Sequence, residues 1–144
     1  MVDRNLLLRK LAELEEYLGQ IKEYENIGVE QYSRDWRIQR IVERTMQMII
    51  ETCVDIAGHI ISDKKYRIPS SYADTFRVLY ENNFVEKVLF EKLEKMAKFR
   101  NIVVHHYDRL DGEIVVGILR KDLDDLFEFR DVIIKSLKAC APKS

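Results

Sequence analysis

The chain has 144 residues, of which 47% are hydrophobic, and its formal net charge is −1. A chain of this length suits one domain with one core, and it can bury around two thirds of its unfolded surface. A charge so close to zero argues against a protein that coats nucleic acid nonspecifically, so any RNA contact should come from a local basic patch.

The beginning of the chain and its cysteines bear on where the protein works. The first five residues lack a charged-then-apolar signal pattern, and no apolar run approaches the ~20 residues needed to cross a bilayer. Cys53 sits on an apolar helix face and reads as a core residue, and with Cys140 it does not suggest a disulfide framework. We therefore expect a soluble cytoplasmic protein without a membrane partner.

Helical periodicity runs through almost the whole chain, which has only two prolines and five glycines to interrupt it. The first predicted helix covers about Arg4 to Glu25 and stops at Asn26-Ile27-Gly28. Ser33 is predicted to cap the second helix, which extends to about Ile61. A helix of that length suggests the spine of a bundle or a dimer surface.

The second half of the chain predicts three more helices. Ser70 or Ser71 can cap a short helix that ends near Tyr80. A long helix then starts near Val85 with Val88 on its inner side, residues 108–118 are expected to be irregular, and a last helix covers about 119–139. The expected fold is all-α, an up-and-down bundle of four to five helices in a single domain over residues 1–144.

Residues 100–107 read Arg-Asn-Ile-Val-Val-His-His-Tyr, which has the form Arg-x4-His-x-Tyr. At 100° per residue His105 lies about 140° from Arg100 on a helix, so the helix must loosen or end near His105 if both side chains are to face one site. The spacing alone is a weak signal. Positive side chains also favour the negative end of the helix dipole, so both residues could simply be C-terminal charges.

The chemistry of this octapeptide suits RNA cleavage without a metal. The ribose 2′-hydroxyl attacks the adjacent phosphorus, which requires a base, an acid for the leaving oxygen and positive charge on the phosphate. Histidine titrates near pH 6.5, and the planar fork of arginine can hold two phosphate oxygens. One chain offers one such pair, Arg100 and His105, so a complete site is easier to build from two copies related by a two-fold axis.

Several segments together resemble the HepT-like branch of the HEPN superfamily. These are the octapeptide, the Glu-Lys-Met-Ala-Lys-Phe run before it at 94–99, and Asp-Trp-Arg-Ile-Gln-Arg-Ile-Val-Glu-Arg at 35–44. Residues 51–61 are also similar to the second helix of that branch. The resemblance spans roughly residues 5–138. It implies a homodimeric ribonuclease toxin that cuts transfer RNA or messenger RNA without a metal or another cofactor, with Arg100 and His105 as catalytic residues at the dimer interface.

The resemblance also implies a partner and supporting residues. Tyr107 matches the tyrosine that receives AMP groups from a cognate MNT-type nucleotidyltransferase antitoxin, and an anionic adduct there would occupy the phosphate site. Asn101 matches a polar residue that follows the family arginine, and it could orient the His105 ring, contact phosphate or be a surface amide. Asp55 is expected to border the cleft because the family's second helix faces it.

Two other functions stay open. One is a catalytically silent HEPN module that binds nucleotide or docks a nucleotidyltransferase. The other is a metal-dependent helical-bundle hydrolase, for which Glu51, Asp55 and His59 at successive i, i+4 positions could join His105 and His106 as ligands. A hydrogen bond between a buried Asp55 and His59 is the commoner outcome of that spacing.

A basic segment offers further phosphate contacts. Residues 64–67 read Lys-Lys-Tyr-Arg, and Lys95, Lys98 and Arg109 could act with them. Such runs are more often a solvated basic face.

Overall fold

The computed structural model describes residues 3–106, 108 and 110–139, and every regular element in them is a helix. The helices are α1 (Arg4–Lys22), α2 (Val29–Arg34), α3 (Trp36–Asp63), α4 (Tyr72–Glu81), α5 (Lys87–His105), α6 (Gly112–Lys121) and α7 (Leu123–Ala139). The all-α prediction is confirmed, although the described part of the chain has more helices than the four to five expected. None of these helices is both long and apolar enough to span a bilayer.

The four long helices form a ring in which α1 packs on α3, α3 on α5, α5 on α7 and α7 on α1. Helices α1 and α7 run in opposite directions. Near the start of α1, Arg4 Nη1 donates to the carbonyl oxygen of Leu137 at the end of α7, at 3.2 Å, while Lys22 at the other end of α1 lies over the ring of Phe127. One continuous apolar cluster fills the ring, and Cys53 belongs to it as predicted.

The short helix α4 covers the seam between α3 and α5. The Ser71 hydroxyl caps it by accepting from the Asp74 N–H at 3.0 Å, as the sequence predicted. Arg67, in the loop before α4, bonds both Asp74 and Glu81 at 2.7–2.9 Å. These bonds fix both ends of α4 to the loop and so hold its first residue, Tyr72, against the bundle.

The start of the long second helix differs from the prediction. A separate helix, α2, precedes it, and Asp35 rather than Ser33 is the cap of α3. The Asp35 carboxylate accepts from the N–H groups of Arg37 and Ile38 at 2.9 and 3.4 Å. Tyr32 packs α2 down by donating its hydroxyl to the buried carboxylate of Glu43 at 3.3 Å.

Residues 112–121 form helix α6, so the expectation that residues 108–118 are irregular is wrong. Asp111 caps α6 by accepting from the Glu113 N–H at 2.9 Å. Val115, Val116 and Leu119 are buried, and this burial outweighs the low helix propensity of β-branched residues. Gly112 lets α6 approach α2 closely, because a Cβ atom there would lie 3.0 Å from the Ser33 hydroxyl oxygen.

The start of α5 also corrects a prediction. The helix begins at Lys87, and Val88 in its first turn is 63% exposed instead of facing the core. The first buried side chains of α5 are those of Leu89 and Phe90.

Candidate active site

Helix α5 ends at the position that the spacing of Arg100 and His105 predicted. The helix stops at His105, and His106 is the C-cap, with its N–H donating to the Ile102 carbonyl at 2.8 Å. The expectation that the helix ends near His105 is therefore confirmed. Tyr107 lies outside the described residues.

Arg100 is held by a carboxylate from the neighbouring helix. Its Nη2 and Nε atoms both donate to Oε1 of Glu51 on α3, at 2.7 and 3.2 Å. The amide of Gln47, one turn earlier on α3, donates to the same oxygen at 3.1 Å. Burial by itself raises the pKa of Glu51, but these hydrogen bonds and the charges of Arg100 and Arg44 outweigh it, so the net pKa is lowered. The carboxylate stays ionised and keeps the guanidinium in place.

An aromatic ring supports the same guanidinium from a third element. The Cζ atom of Arg100 lies 4.5 Å from the ring centroid of Tyr72, the first residue of α4. We call Gln47, Glu51 and Tyr72 the Arg100 clamp. Because α3, α4 and α5 each supply part of it, the orientation of Arg100 depends on the packing of three helices.

The clamp leaves part of the guanidinium for another ligand. Arginine has five N–H donors. Two point at Glu51, and one Nη1 hydrogen goes to the Asn101 side-chain oxygen at 3.3 Å. The remaining two make no hydrogen bond with any residue that the structure describes. A fork of two such hydrogens matches the spacing of two phosphate oxygens.

His105 is exposed, and its ring makes no hydrogen bond or ion pair within the described part of the chain. No direct contact joins it to Arg100 in the single chain. The last turns of α5 thus present a fixed cation and, five residues later, a solvent-facing imidazole. One such imidazole cannot be base and acid at the same time in a single step.

The interpretation of Arg100 as a C-terminal helix charge is wrong, because its guanidinium is directed to α3 instead of the last carbonyls of α5. The side chain of Asn101 lies on the surface, and its oxygen accepts a hydrogen bond from Arg100. The role expected for Asn101 stays a prediction.

Asp55 and His59 do not form the buried hydrogen bond expected from their spacing, since both side chains are exposed. Asp55 instead pairs with Lys10 of α1 at 3.6 Å, one turn along α3 from Glu51. Its place at the border of the cleft stays a prediction. No three His, Cys, Asp or Glu side chains in the described ranges are grouped closely enough to hold a metal ion, and Glu51 is already bound to Arg100.

The basic segment at 64–67 is partly neutralised within the chain. Arg67 is bound by Asp74 and Glu81 and so is not available to a phosphate. The Nζ atom of Lys98 lies 3.9 Å from the carboxylate of Glu94, one turn earlier on α5. Arg109 lies outside the described residues.

The sequence did not reveal the Arg100 clamp. The sequence pattern indicated Glu51 only as a possible metal ligand, and it indicated no role for Tyr72. The Gln47 and Glu51 pair at i, i+4 on the polar side of a hydrophobic helix was the available signal for the carboxylate. Nothing local marks Tyr72, because only the packing of α4 brings it to a residue 28 positions away.

Comparisons with known proteins identify the family of this chain. The family model "Ribonuclease HepT-like" matches residues 14–133. The chain is 34% identical to an mRNA nuclease HepT from Shewanella oneidensis over 90% of this chain and 96% of that protein. It is 30% identical to a tRNA nuclease HepT from Aphanizomenon flos-aquae over 66% of this chain and 65% of that protein.

A solved structure of a related protein shows the same fold. It is a tri-AMPylated Shewanella oneidensis HEPN toxin in complex with an MNT antitoxin, with a TM-score of 0.83 and 33% sequence identity over 94% of this chain and 99% of that one. The family match covers most of the chain, and the two Shewanella oneidensis proteins align with it almost end to end. The chain belongs to the HepT-like family of ribonucleases.

Proposed function

We propose that this chain is the ribonuclease toxin of a toxin–antitoxin pair, and that it cuts RNA without a metal at a site containing Arg100 and His105. The observation that carries the proposal is the clamped guanidinium of Arg100, which lies five residues before an exposed His105 and has two hydrogens that bond no residue in the described ranges. Membership of the HepT-like family supports the reaction class.

The proposed reaction is a transesterification. The ribose 2′-oxygen forms a bond to the adjacent phosphorus as a base takes its proton, and the bond from phosphorus to the 5′-oxygen breaks as an acid protonates that oxygen. Negative charge builds up on the phosphate oxygens, where the fork of Arg100 stabilises it. The products are a 2′,3′-cyclic phosphate and a free 5′-hydroxyl.

Base and acid are two roles, and each copy supplies one His105. We therefore propose that the active form is a homodimer with two Arg100 and two His105 side chains facing a shared cleft. In this arrangement one imidazole starts neutral and takes a proton, and the other starts protonated and gives one. Asn101 and Asp55 are proposed as supporting residues, Asn101 through its contact with Arg100.

The substrate and partner are proposed from the relatives. Messenger RNA and transfer RNA are the candidate substrates, since relatives are named as nucleases of each. The antitoxin is proposed to be an MNT-type nucleotidyltransferase that adds AMP to Tyr107, because a related toxin is AMPylated in complex with such a protein. An AMP phosphate on Tyr107, two residues after His105, would compete with the RNA phosphate for the guanidinium of Arg100.

The proposal is tested by incubating the purified chain with transfer RNA and messenger RNA in the presence of EDTA. We expect cleavage with cyclic phosphate ends, and loss of at least a hundredfold in rate in Arg100→Ala and in His105→Ala. Arg9→Ala, which removes an exposed arginine from α1, is the control and should cleave normally.

Other outcomes would identify the alternatives. Cleavage that EDTA abolishes, and that His59→Ala removes, would indicate the metal-dependent hydrolase. A wild-type chain that cuts no RNA yet binds a nucleotidyltransferase would indicate the silent module. Either result would overturn the proposed function.

A further inference from the structure

A row of polar side chains on the exposed face of α3 leads to the Arg100 clamp. Residues 37, 40, 44, 47 and 51 follow one another at spacings of three and four, which keep side chains on one side of a helix. The first three are Arg37, Arg40 and Arg44, here called the arginine stripe. From residue 37 to residue 51 the helix rises about 21 Å.

Two guanidinium groups of the stripe form no ion pair with the residues that the structure describes. Arg44 is exposed and makes no hydrogen bond or ion pair with them, although its charge helps to lower the pKa of Glu51. Arg37 lies over the ring of Trp36, with 5.7 Å from its Cζ atom to the ring centroid, and makes no ion pair with them either. Arg40 differs, because it bonds Glu43 at 3.3 Å.

The stripe borders a groove that ends at the motif helix. The groove has a volume of about 230 Å³, and four side chains of α3 and one of α5 line it. They are Arg40, Glu43, Arg44, Gln47 and Val103. Val103 lies three residues after Arg100 on α5, and Gln47 belongs to the Arg100 clamp. A chain of phosphates lying in this groove would therefore run directly towards the guanidinium proposed to act in cleavage.

An exposed aromatic ring stands at the far end of the stripe. Trp36 is the single tryptophan of the chain, and it is 64% exposed. Arginines that follow a backbone, next to an aromatic ring on which a base can stack, are the usual elements of single-stranded nucleic acid binding. Since the net charge of the whole chain is −1, this positive charge is a local feature.

We propose that the arginine stripe and Trp36 bind single-stranded RNA beside the cleaved bond, the arginines holding successive phosphates and Trp36 stacking on a base. This inference rests on the proposed function and names the part of the substrate that lies outside the reacting atoms. A second copy is a less suitable occupant, because two stripes facing each other across a two-fold axis would repel. From residue 37 to residue 44 the helix rises about 10.5 Å, so the stripe spans about three phosphates at ~3.4 Å per stacked nucleotide.

The test uses the full chain carrying His105→Ala, so that RNA is bound without being cut. A fluorescent single-stranded oligoribonucleotide of mixed sequence is titrated at several salt concentrations. Adding Arg37→Gln and Arg44→Gln should weaken binding at least tenfold and reduce the slope of log K against log salt by about 1.4, or ~0.7 for each lost phosphate contact. The control adds Arg9→Gln and Lys135→Gln, which remove the same charge from exposed positions on α1 and α7.

Trp36 provides an independent signal because no other tryptophan contributes to the fluorescence. Stacking of a base should quench its emission in the His105→Ala chain, and the quenching should disappear at high salt. Trp36→Ala should weaken binding roughly tenfold without changing the salt slope.

The inference is overturned if the stripe variant and its control bind RNA with the same affinity and salt slope. It is also overturned if the stripe variant becomes monomeric in sedimentation while the control stays dimeric, because the stripe would then be an interface between copies. The proposed function is judged separately, by RNA cleavage in the chain with His105 intact. Cleavage there together with unchanged binding in the stripe variant would remove this inference alone.

Discussion

The guanidinium of Arg100 lies over the ring of Tyr72, with its Cζ atom 4.5 Å from the ring centroid. The contact joins the first turn of α4 to the last turns of α5. A flat ring restricts how the guanidinium can tilt, and Glu51 restricts how it can rotate. Together they prepare the cation before any phosphate arrives, which reduces the ordering needed in the transition state.

Two substitutions of Tyr72 distinguish the contribution of its ring from that of its hydroxyl. We expect Tyr72→Phe to keep nearly full RNA cleavage, because the ring remains under Arg100. Tyr72→Leu fills similar space without a π face, and a loss of about 1 kcal/mol of cation–π interaction should lower kcat roughly fivefold. Steady-state cleavage rates of the two variants make the comparison. Equal rates in Phe and Leu variants would show that the ring is only a packing group.

Glu51 is predicted to be a positioning residue that acts through Arg100. Glu51→Gln keeps the shape but loses the charge, so we expect kcat to fall about tenfold while the KM for RNA changes little. Thermal unfolding should show a loss of about 1 kcal/mol. Asp131→Asn on α7, which removes the carboxylate of a surface pair with Arg130, is the matched control and should be nearly neutral in both assays. Unchanged kcat in Glu51→Gln would rule out the positioning role.

Two acidic residues of α3, Glu43 and Glu51, should respond to pH in opposite senses. The folded pKa of Glu51 is lowered, because bonds from Arg100 and Gln47 outweigh burial, so its contribution to stability is present above its ordinary pKa of 4.5 and is lost as the pH falls through the lower folded value. Burial raises the pKa of Glu43, so its contribution is present below 4.5 and is lost as the pH rises through the higher folded value.

Urea unfolding at a series of pH values tests this difference. Compared with the wild type, Glu51→Gln should lose less stability on acidification below pH 4.5. Glu43→Gln should lose less stability as the pH is raised from about 4.5 towards neutral. Parallel curves for both variants and the wild type would contradict the assignment.

Modification of Tyr107 is expected when the chain meets its nucleotidyltransferase partner and ATP. Intact-mass measurement should show one or more added AMP groups, and RNA cleavage should fall in proportion to the modified fraction because the adduct is anionic and adjacent to the proposed site. Tyr107→Phe should remain unmodified. Adducts that persist in that variant, or full cleavage by a fully modified chain, would count against Tyr107 as the regulatory position.

The fold was predictable where local signals agree with packing. The start of α1 at Arg4 and the Ser71 cap of α4 follow from short-range rules, and the structure confirms both. Helix α6 was not predictable in this way, because Gly112 and the β-branched residues after it read as a turn and an irregular stretch. Their helical state depends on burial against α2 and α7, which no local pattern records.

The candidate site could likewise be predicted only in part. The spacing of Arg100 and His105 could be read from the sequence. The end of α5 near His105 could also be predicted from it. The bond from Arg100 to Glu51 could not, because it joins residues 49 positions apart and depends on how α3 and α5 pack. Spacing along α3 grouped Glu51, Asp55 and His59 as possible metal ligands. It could not show that a residue of another helix would bind one of them.

The hydrogen bond from Arg4 to the Leu137 carbonyl has a consequence for how this protein is made. Residues near 137 are translated after the helices α1 to α6, so the apolar side of α1 has no α7 partner until residues 123–139 have been made. Domains fold as units on the ribosome. We therefore expect the nascent chain to stay incompletely packed, and inactive, until α7 has left the ribosome.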